Sequence, residues 1–142
     1  GRGVGPGAMT GRRRGLLDTS VVIALGSLDP ASLPDVCLIS AVTLAELTAG
    51  PLVAAAVRER AIRQARLQAV ERSFDPLPFD ADCARAFGRV SADLRARGRK
   101  AAARPYDGLI AATALAHGLD LYTLNPGDFD GIGGLTVRAP NA

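Results

Sequence analysis

Histidine, cysteine and lysine are all scarce in this sequence of 142 residues. It has one histidine, His117, one lysine, Lys100, and two cysteines, Cys37 and Cys83. A ribonuclease mechanism that depends on two histidines is therefore disfavoured, and one histidine gives no convincing Cys/His or Ser/His catalytic set. The cysteines lack C-x-x-C spacing and have too few companions for a metal site, so we expect buried, reduced thiols.

Long apolar runs are absent as well. No segment approaches the roughly 18 consecutive apolar residues that a membrane-spanning helix needs, and no secretion signal is recognisable. Hydrophobic residues make up 48% and charged residues 22% of the chain. These values are typical of globular proteins and unlike those of disordered, collagenous or disulfide-scaffold chains. We expect one folded domain in the cytoplasm, with no membrane partner.

The charge balance is only slightly basic. Seventeen basic and fourteen acidic residues give a formal charge of +3 and a pI near 9.4. This charge suits a polyanionic partner, but it does not establish nucleic-acid binding. Residues 1–8 are glycine-rich, aperiodic and followed by the only methionine, Met9. We expect residues 1–8 to be a cloning remnant and residues 9–142 to form a single domain.

Short apolar runs alternate with helical patterns from residue 16 onward. We predict strands at 16–17, 36–39, 121–124 and 135–137, and at most an edge strand within 74–79. We predict helices at 19–25, from Ser40 or Thr43 to Gly50-Pro51, and at 52–72, 80–97 and 105–116, and we predict that Asp80 caps the helix at 80–97. Strands separated by helices predict an α/β domain with a mostly parallel sheet, whose ligand crevice lies beyond the carboxyl ends of the strands.

The predicted helix at 52–72 is amphipathic. Its apolar residues are four apart, which predicts that one face is buried, and the series is Val53, Val57, Ala61, Ala65 and Ala69. Its arginines lie elsewhere, at Arg58, Arg63 and Arg66. A solvated face is the simpler interpretation of these arginines, and contact with a partner is the alternative.

Four acidic residues follow or flank the predicted strand ends: Asp18, Glu46, Asp107 and Asp128. Carboxylates brought together repel and raise one another's pKa values unless a divalent cation offsets their charge. Because the group contains neither histidine nor cysteine, hard cations such as Mg²⁺ or Mn²⁺ suit it. The pattern therefore predicts a metal centre at one edge of the sheet.

Two of these carboxylates, Asp18 and Asp107, also have structural explanations. Asp18 can cap a helix, although Thr19 and Ser20 are adequate caps. Asp107 in the first turn of a helix favours the helix dipole whatever its function. Glu46 lies in an apolar stretch, where burial of an unpaired carboxylate is costly. We favour metal binding for Asp18 and Glu46 and leave both interpretations open for Asp107.

Asp128 is the least certain of the four. Asn125 and Asp130 share its loop, and turns use such residues for their own backbone. Phe129 can anchor the loop by burying its ring, which places Asp130 beyond the anchor and towards solvent. We therefore predict that Asp128 is the fourth carboxylate.

Four segments together resemble the successive motifs of PIN domains, and of the VapC toxins of bacterial toxin–antitoxin pairs in particular. They are LLDTSV at 16–21, SAVTLAEL at 40–47, RPYDGLIAATA at 104–114 and TLNPGDF at 123–129. The similarity extends from residue 16 to 137. The resemblance implies a three-layer α/β/α PIN-like domain and a metal-dependent endoribonuclease that uses Mg²⁺, for which Mn²⁺ substitutes.

The resemblance also implies roles for individual residues. Asp18 and Asp107 are expected to be the principal metal ligands, with Glu46 and Asp128 completing the site. Ser20 and Thr43 are candidates for orienting metal-bound waters, although both are more often helix caps. In addition, Arg104 is a candidate for a phosphate contact.

The implied partners are RNA, a VapB-type antitoxin and a second copy of the chain. A non-catalytic PIN-like partner-binding module is the alternative function. A phosphoacceptor receiver domain also uses clustered carboxylates, but it needs a lysine after a late strand. Lys100 is instead predicted in a loop before a helix, so the receiver interpretation is disfavoured.

Overall fold

A single parallel sheet forms the centre of the fold. The computed structural model describes residues 12–98 and 105–142. Within these ranges the strands are β1 (Arg14–Leu17), β2 (Val36–Leu38), β3 (Asp120–Tyr122) and β4 (Val137–Arg138), in the order β2-β1-β3-β4. Every neighbouring pair is parallel. The predicted α/β class is confirmed.

Helices connect the strands. They are α1 (Thr19–Ala24), α2 (Ala41–Val53), α3 (Val57–Ser73), α4 (Ala81–Ala96) and α5 (Pro105–Ala116). Ser40 caps α2 by accepting a hydrogen bond from the backbone N–H of Val42 at 3.0 Å. Asp80 caps α4 in the same way through the N–H of Cys83 at 3.1 Å. These side chains satisfy backbone groups that a helix start leaves unpaired, and the predicted cap at Asp80 is confirmed.

The two faces of the sheet carry separate apolar cores. Leu16 and Leu17 are adjacent in β1 and therefore point to opposite faces. Leu16 belongs to the core that contains α4 and α5, whereas Leu17 belongs to the core that contains α1, α2 and α3. In β3, Leu121 and Tyr122 divide in the same way, in register with Leu16 and Leu17. The domain therefore has three layers, α/β/α.

The boundary between α2 and α3 differs from the prediction. The helix does not end at Gly50-Pro51 but continues to Val53, with Pro51 buried inside it. The break comes at residues 54–56, where Ala54 is extended (φ −70°, ψ 126°) and buried. A proline inside a helix removes one hydrogen bond, and here the burial of its ring opposes that loss.

The predicted buried stripe of α3 was wrong. Leu67 and Val70 face the core, while Val57 is 77% exposed. Because burying a leucine and a valine removes more apolar surface from water than burying alanines, the orientation of the helix follows these two larger side chains. Val53 and Val57 remain on the surface beside Leu52, which is 83% exposed.

The last two strands are also displaced from their predicted limits. β3 ends at Tyr122 rather than at Leu124, because the backbone N–H groups of Leu124 and Asn125 donate to side-chain hydroxyls instead of a neighbouring strand. β4 begins at Val137 rather than at Leu135. The segment 74–79 forms only one bridge, from Leu77 to Ser40.

The cysteines are free, as predicted. Cys83 is buried and Cys37 is half-buried. Burial raises the pKa of both thiols, because a thiolate is costly in an apolar environment. Among the described helices, none has the length and apolar character that crossing a membrane requires.

The buried hydroxyl of Tyr122 makes no hydrogen bond to residues 12–98 or 105–142, and the ring of Tyr122 packs directly over Gly15. We expect Tyr122→Phe to leave the free energy of unfolding unchanged or to raise it by about 1 kcal/mol, since an unpaired buried hydroxyl is unfavourable. The matched control is Thr113→Val, which removes a buried hydroxyl bonded to the Leu109 carbonyl at 2.9 Å. This control should lower stability. Urea denaturation measures both, and a clear loss of stability in Tyr122→Phe would contradict the expectation.

Candidate active site

The sheet topology brings the predicted acidic residues to one edge. Asp18 directly follows β1, and Glu46 lies in the helix that begins just beyond β2. Asp128 lies in the short 3-10 helix Pro126–Phe129, which follows β3. The carboxyl ends of parallel strands meet at one edge of a sheet, and this edge is where α/β proteins bind ligands.

Asp107 reaches the same edge from a helix. It lies in the first turn of α5, whose other end connects to the start of β3 through a tight turn at Gly118 (φ +64°). A helix that precedes a parallel strand across such a short turn runs back against the strand direction. The N-terminus of α5 therefore lies towards the carboxyl edge of the sheet.

Asp18 is held by two hydroxyl groups. It occupies the N-cap position of α1 but makes no capping bond with its side chain. Instead its Oδ2 accepts hydrogen bonds from Ser20 Oγ and from Thr123 Oγ1, each at 2.8 Å. The capping interpretation of Asp18 is therefore wrong, and the carboxylate is free to act on something else.

The charge of Asp18 is nearly buried. The residue is 5% exposed, and across residues 12–98 and 105–142 no arginine or lysine forms an ion pair with it. Its second oxygen, Oδ1, receives no hydrogen bond from the described part of the chain. A buried carboxylate with neutral donors alone is costly, and a cation on Oδ1 would remove that cost.

Thr123 was missed by the sequence analysis. Its hydroxyl donates to Asp18 and accepts the backbone N–H of Asn125 at 3.0 Å, while Ser20 accepts the N–H of Leu124 at 3.1 Å. The two hydroxyls thus connect the end of β1 to the loop that carries Asp128. Ser20 contacts the Asp18 carboxylate directly. The position of Thr123 at the start of the TLNPGDF segment was the available signal.

Glu46 is positioned by two threonines. Thr19 Oγ1 donates to Glu46 Oε1 at 2.6 Å, and Thr43 Oγ1 lies 2.9 Å from Thr19 Oγ1. Since the single proton of Thr19 is used on Glu46, Thr43 must donate to Thr19. Thr43 therefore supports Glu46 indirectly, and Thr19, which follows Asp18 in the chain, was missed as a positioning residue.

The loop after β3 separates Asp128 from its neighbour Asp130. Phe129 is 2% exposed and anchors the loop in the core, as predicted. Asp128 is half-buried and Asp130 is exposed. This arrangement favours Asp128 as the fourth carboxylate. The predicted phosphate contact, Arg104, lies outside the described residues.

An arginine-lined cavity adjoins Glu46. It has a volume of about 360 Å³, and its lining includes Thr19, Glu46, Arg63 and Arg66. Arg63 bridges two helices, because it bonds Glu59 at 2.9 Å and the Gly50 carbonyl at 3.0 Å. Arg58 is exposed, whereas Arg63 and Arg66 are half-buried. The predicted solvated face is therefore confirmed for Arg58 alone. A cavity with both arginines and a carboxylate suits a phosphate beside a metal-binding group.

The donor set fits a hard divalent cation. Asp18, Glu46, Asp107 and Asp128 offer only carboxylate oxygens, which Mg²⁺ and Mn²⁺ prefer over softer metals. The open Oδ1 of Asp18 is the clearest position for such an ion.

Comparison with known proteins agrees with this geometry. The family model for the PIN domain matches residues 15–135. This chain belongs to the PIN-domain family. Ribonuclease VapC5 of Mycobacterium tuberculosis is 43% identical over 112 residues, covering 77% of this chain and 81% of that protein. The PIN resemblance and the three-layer fold are therefore confirmed.

Two further PIN relatives are informative. The tRNA(fMet)-specific endonuclease VapC of Shigella flexneri is 33% identical over 135 residues, covering 87% of this chain and 95% of that protein. The crystal structure of VapBC-5, a toxin–antitoxin complex from M. tuberculosis, superimposes with a TM-score of 0.75 at 38% identity. That match covers 91% of this chain and 98% of the other.

The threonine pair gives a test of the site's geometry. We expect Thr19→Val to weaken Mn²⁺ binding about tenfold, since a hydrogen bond to a charged group contributes roughly 1.5–3 kcal/mol. Thr43→Val leaves the bond from Thr19 to Glu46 in place and should weaken binding only about threefold. Isothermal titration calorimetry measures both affinities, with melting temperatures as a folding control. A larger effect for Thr43→Val would contradict the proposed direction of the hydrogen bonds.

Proposed function

We propose that this PIN protein is a metal-dependent endoribonuclease that acts as the VapC-type toxin of a toxin–antitoxin pair. The observation that carries the proposal is the nearly buried Asp18 carboxylate, which has two neutral donors on one oxygen and no cationic partner in the described chain. A buried carboxylate with a structural role is normally paired with a cation or caps a helix. Asp18 does neither in the described chain, so its charge favours binding of a cation.

The metal ligands in this proposal are Asp18, Glu46, Asp107 and Asp128, and the cation is Mg²⁺ with Mn²⁺ as a substitute. A cation held by these carboxylates would supply an activated water for in-line attack on the phosphodiester and would offset charge on the leaving oxygen. Ser20 and Thr123 both donate to Oδ2 of Asp18. These bonds fix the carboxylate and leave Oδ1 available for the ion. Thr19 holds Glu46 in the same way.

RNA is the proposed substrate. The support comes from relatives that are named as ribonucleases, one of them a tRNA(fMet)-specific endonuclease. The cavity lined by Arg63 and Arg66 supplies a phosphate contact next to Glu46, where a flanking nucleotide of the RNA would lie. A contact to the RNA backbone rather than to a base would favour recognition of RNA shape over sequence.

An antitoxin of the VapB type is the proposed partner. The solved relative VapBC-5 is a toxin–antitoxin complex, and this chain exposes an apolar groove of about 580 Å³ between the end of α2 and the start of α3. Pro51, Leu52 and Val57 line the groove, and Arg60 lies at its side. Such a groove suits the apolar face of an amphipathic helix with acidic flanks. The homodimer that the family resemblance implies stays a prediction, separate from this antitoxin proposal.

Replacement of Asp18 tests the catalytic proposal. Asp18→Asn keeps the size of the side chain and an oxygen that accepts from Ser20 and Thr123, but removes the charge. We expect Mn²⁺-dependent RNA cleavage to fall at least about a hundredfold, while the melting temperature stays equal or rises because a buried charge is lost. Cleavage is measured on structured RNA in the presence of Mn²⁺, and a reaction that contains EDTA serves as the blank.

Asp130→Asn is the matched control, because Asp130 is an exposed carboxylate in the loop after β3 and has no role in the proposed site. It should cleave RNA at the wild-type rate. RNA cleavage by Asp18→Asn at the wild-type rate would contradict the proposed mechanism. A wild-type protein that binds its antitoxin but cleaves no RNA with Mn²⁺ would favour the non-catalytic binding module instead.

Replacement of Val57 tests the partner proposal. Val57→Asp puts a charge into the apolar groove, and we expect it to weaken capture of a co-expressed VapB-type antitoxin at least about tenfold, because the charge must be desolvated in the interface. RNA cleavage should persist. Ala92→Asp, an exposed change on α4 in the opposite layer, is the control and should not alter capture. If Val57→Asp abolishes self-association and leaves antitoxin capture intact, the groove belongs to a homodimer.

A further inference from the structure

A second group of metal-binding side chains lies outside the acidic site. One ligand atom each from Asp80, Cys83 and His117 lies within 4.8 Å of the other two. Asp80 and Cys83 are at the first turn of α4, and His117 directly follows α5. From the sequence alone, Asp80 is explained as a helix cap and Cys83 as a buried thiol. Nothing in the sequence groups them with His117, which is distant from both along the chain.

The packing of α4 against α5 assembles this group. Phe87 packs against Gly108, near the start of α5, whereas Cys83, one turn earlier in α4, contacts Thr113 near its end. The two helices therefore run antiparallel, which puts the start of α4 beside the end of α5. The juxtaposition is a result of core packing and not of local sequence.

We propose that Asp80, Cys83 and His117 bind one Zn²⁺ ion. A thiolate, an imidazole and a carboxylate are the ligands that zinc accepts together, whereas Mg²⁺ does not favour sulfur or nitrogen. One thiolate and one carboxylate neutralise the two positive charges of the ion, so no further counter-ion is needed. Three protein ligands leave a fourth tetrahedral position for water.

The burial of the three side chains suits entry of an ion from solvent. Cys83 is buried, while Asp80 and His117 are exposed. The thiol therefore lies at the buried end of the site, and the other two ligands lie at its solvent-exposed end. The hydrogen bond from the Cys83 N–H to Asp80 Oδ1 orients the carboxylate, whose other oxygen is the expected ligand.

Metal binding would replace a weak contact. The Cys83 thiol donates to the Pro78 carbonyl at 3.7 Å, a long hydrogen bond even for sulfur. On binding, the thiol releases its proton to solvent and the sulfur forms a bond to the metal. The same ion would then join the start of α4 to the end of α5, and stabilise the layer that packs behind Asp107.

This site is separate from the acidic centre. His117 lies ten residues beyond Asp107, which corresponds to about 15 Å along a helix axis. The zinc would therefore act as a structural link between helices. Occupancy of the site should change stability and leave the rate of RNA cleavage with Mg²⁺ unaltered.

Cobalt substitution gives a direct test. Co²⁺ is titrated into the reduced full-length protein, and a sulfur-to-cobalt charge-transfer band reports a thiolate ligand. The acidic centre contains no sulfur, so Co²⁺ bound there gives no such band. We expect a band that saturates at one equivalent in the wild type and in Cys37→Ser, and no band in Cys83→Ser.

If Cys83→Ser does not fold, His117→Ala provides a second test. His117 is exposed, so we expect this variant to fold. We expect it to weaken the cobalt affinity at least about tenfold and to abolish a Zn²⁺-induced rise of a few degrees in melting temperature. Absence of the band in the wild type, its loss in Cys37→Ser, or wild-type affinity in His117→Ala would overturn the proposal.

Discussion

The carboxylate of Asp18 is almost completely removed from water, and the arrangement of its neighbours depends on this buried charge. Two hydroxyls donate to one of its oxygens, and one of them comes from Thr123 at the end of the adjacent strand. Neutral hydrogen bonds compensate only part of the cost of burying a charge, so the remaining oxygen favours a cation. The constraint that destabilises the protein without a cation therefore also favours the metal site that we propose.

Hydroxyl groups bond two of the acidic side chains at the carboxyl edge of the sheet. Ser20 and Thr123 hold Asp18, and Thr43 acts through Thr19 on Glu46. A neutral donor orients a carboxylate without cancelling its charge, whereas an arginine would compete with the metal. Arg63 and Arg66 line the neighbouring cavity, so the proposed phosphate contact is separate from the proposed ion.

The fold separates its stabilising and functional surfaces. Alternation along β1 and β3 builds two apolar cores, one on each face of the sheet, and leaves the carboxyl edge for polar groups. On one side, α2 and α3 expose an apolar groove that the proposed antitoxin would fill. On the other side, α4 and α5 bring together the Asp80, Cys83 and His117 group. These surfaces belong to different layers and can be altered independently.

The sequence by itself determined the α/β class and the PIN family, because strand and helix periods, caps and ordered motifs are local properties. It also predicted the four carboxylates of the proposed site. It predicted the cap at Asp80 and the anchor at Phe129. It did not determine the end of α2, which passes through Pro51, or the face of α3 that is buried, since both depend on which side chains bury the most surface after packing. Thr19 and Thr123 became visible as positioning residues only through hydrogen bonds across 27 and 105 positions of the chain. Such contacts are created when strands and helices distant in sequence pack together, so only the tertiary structure decides them.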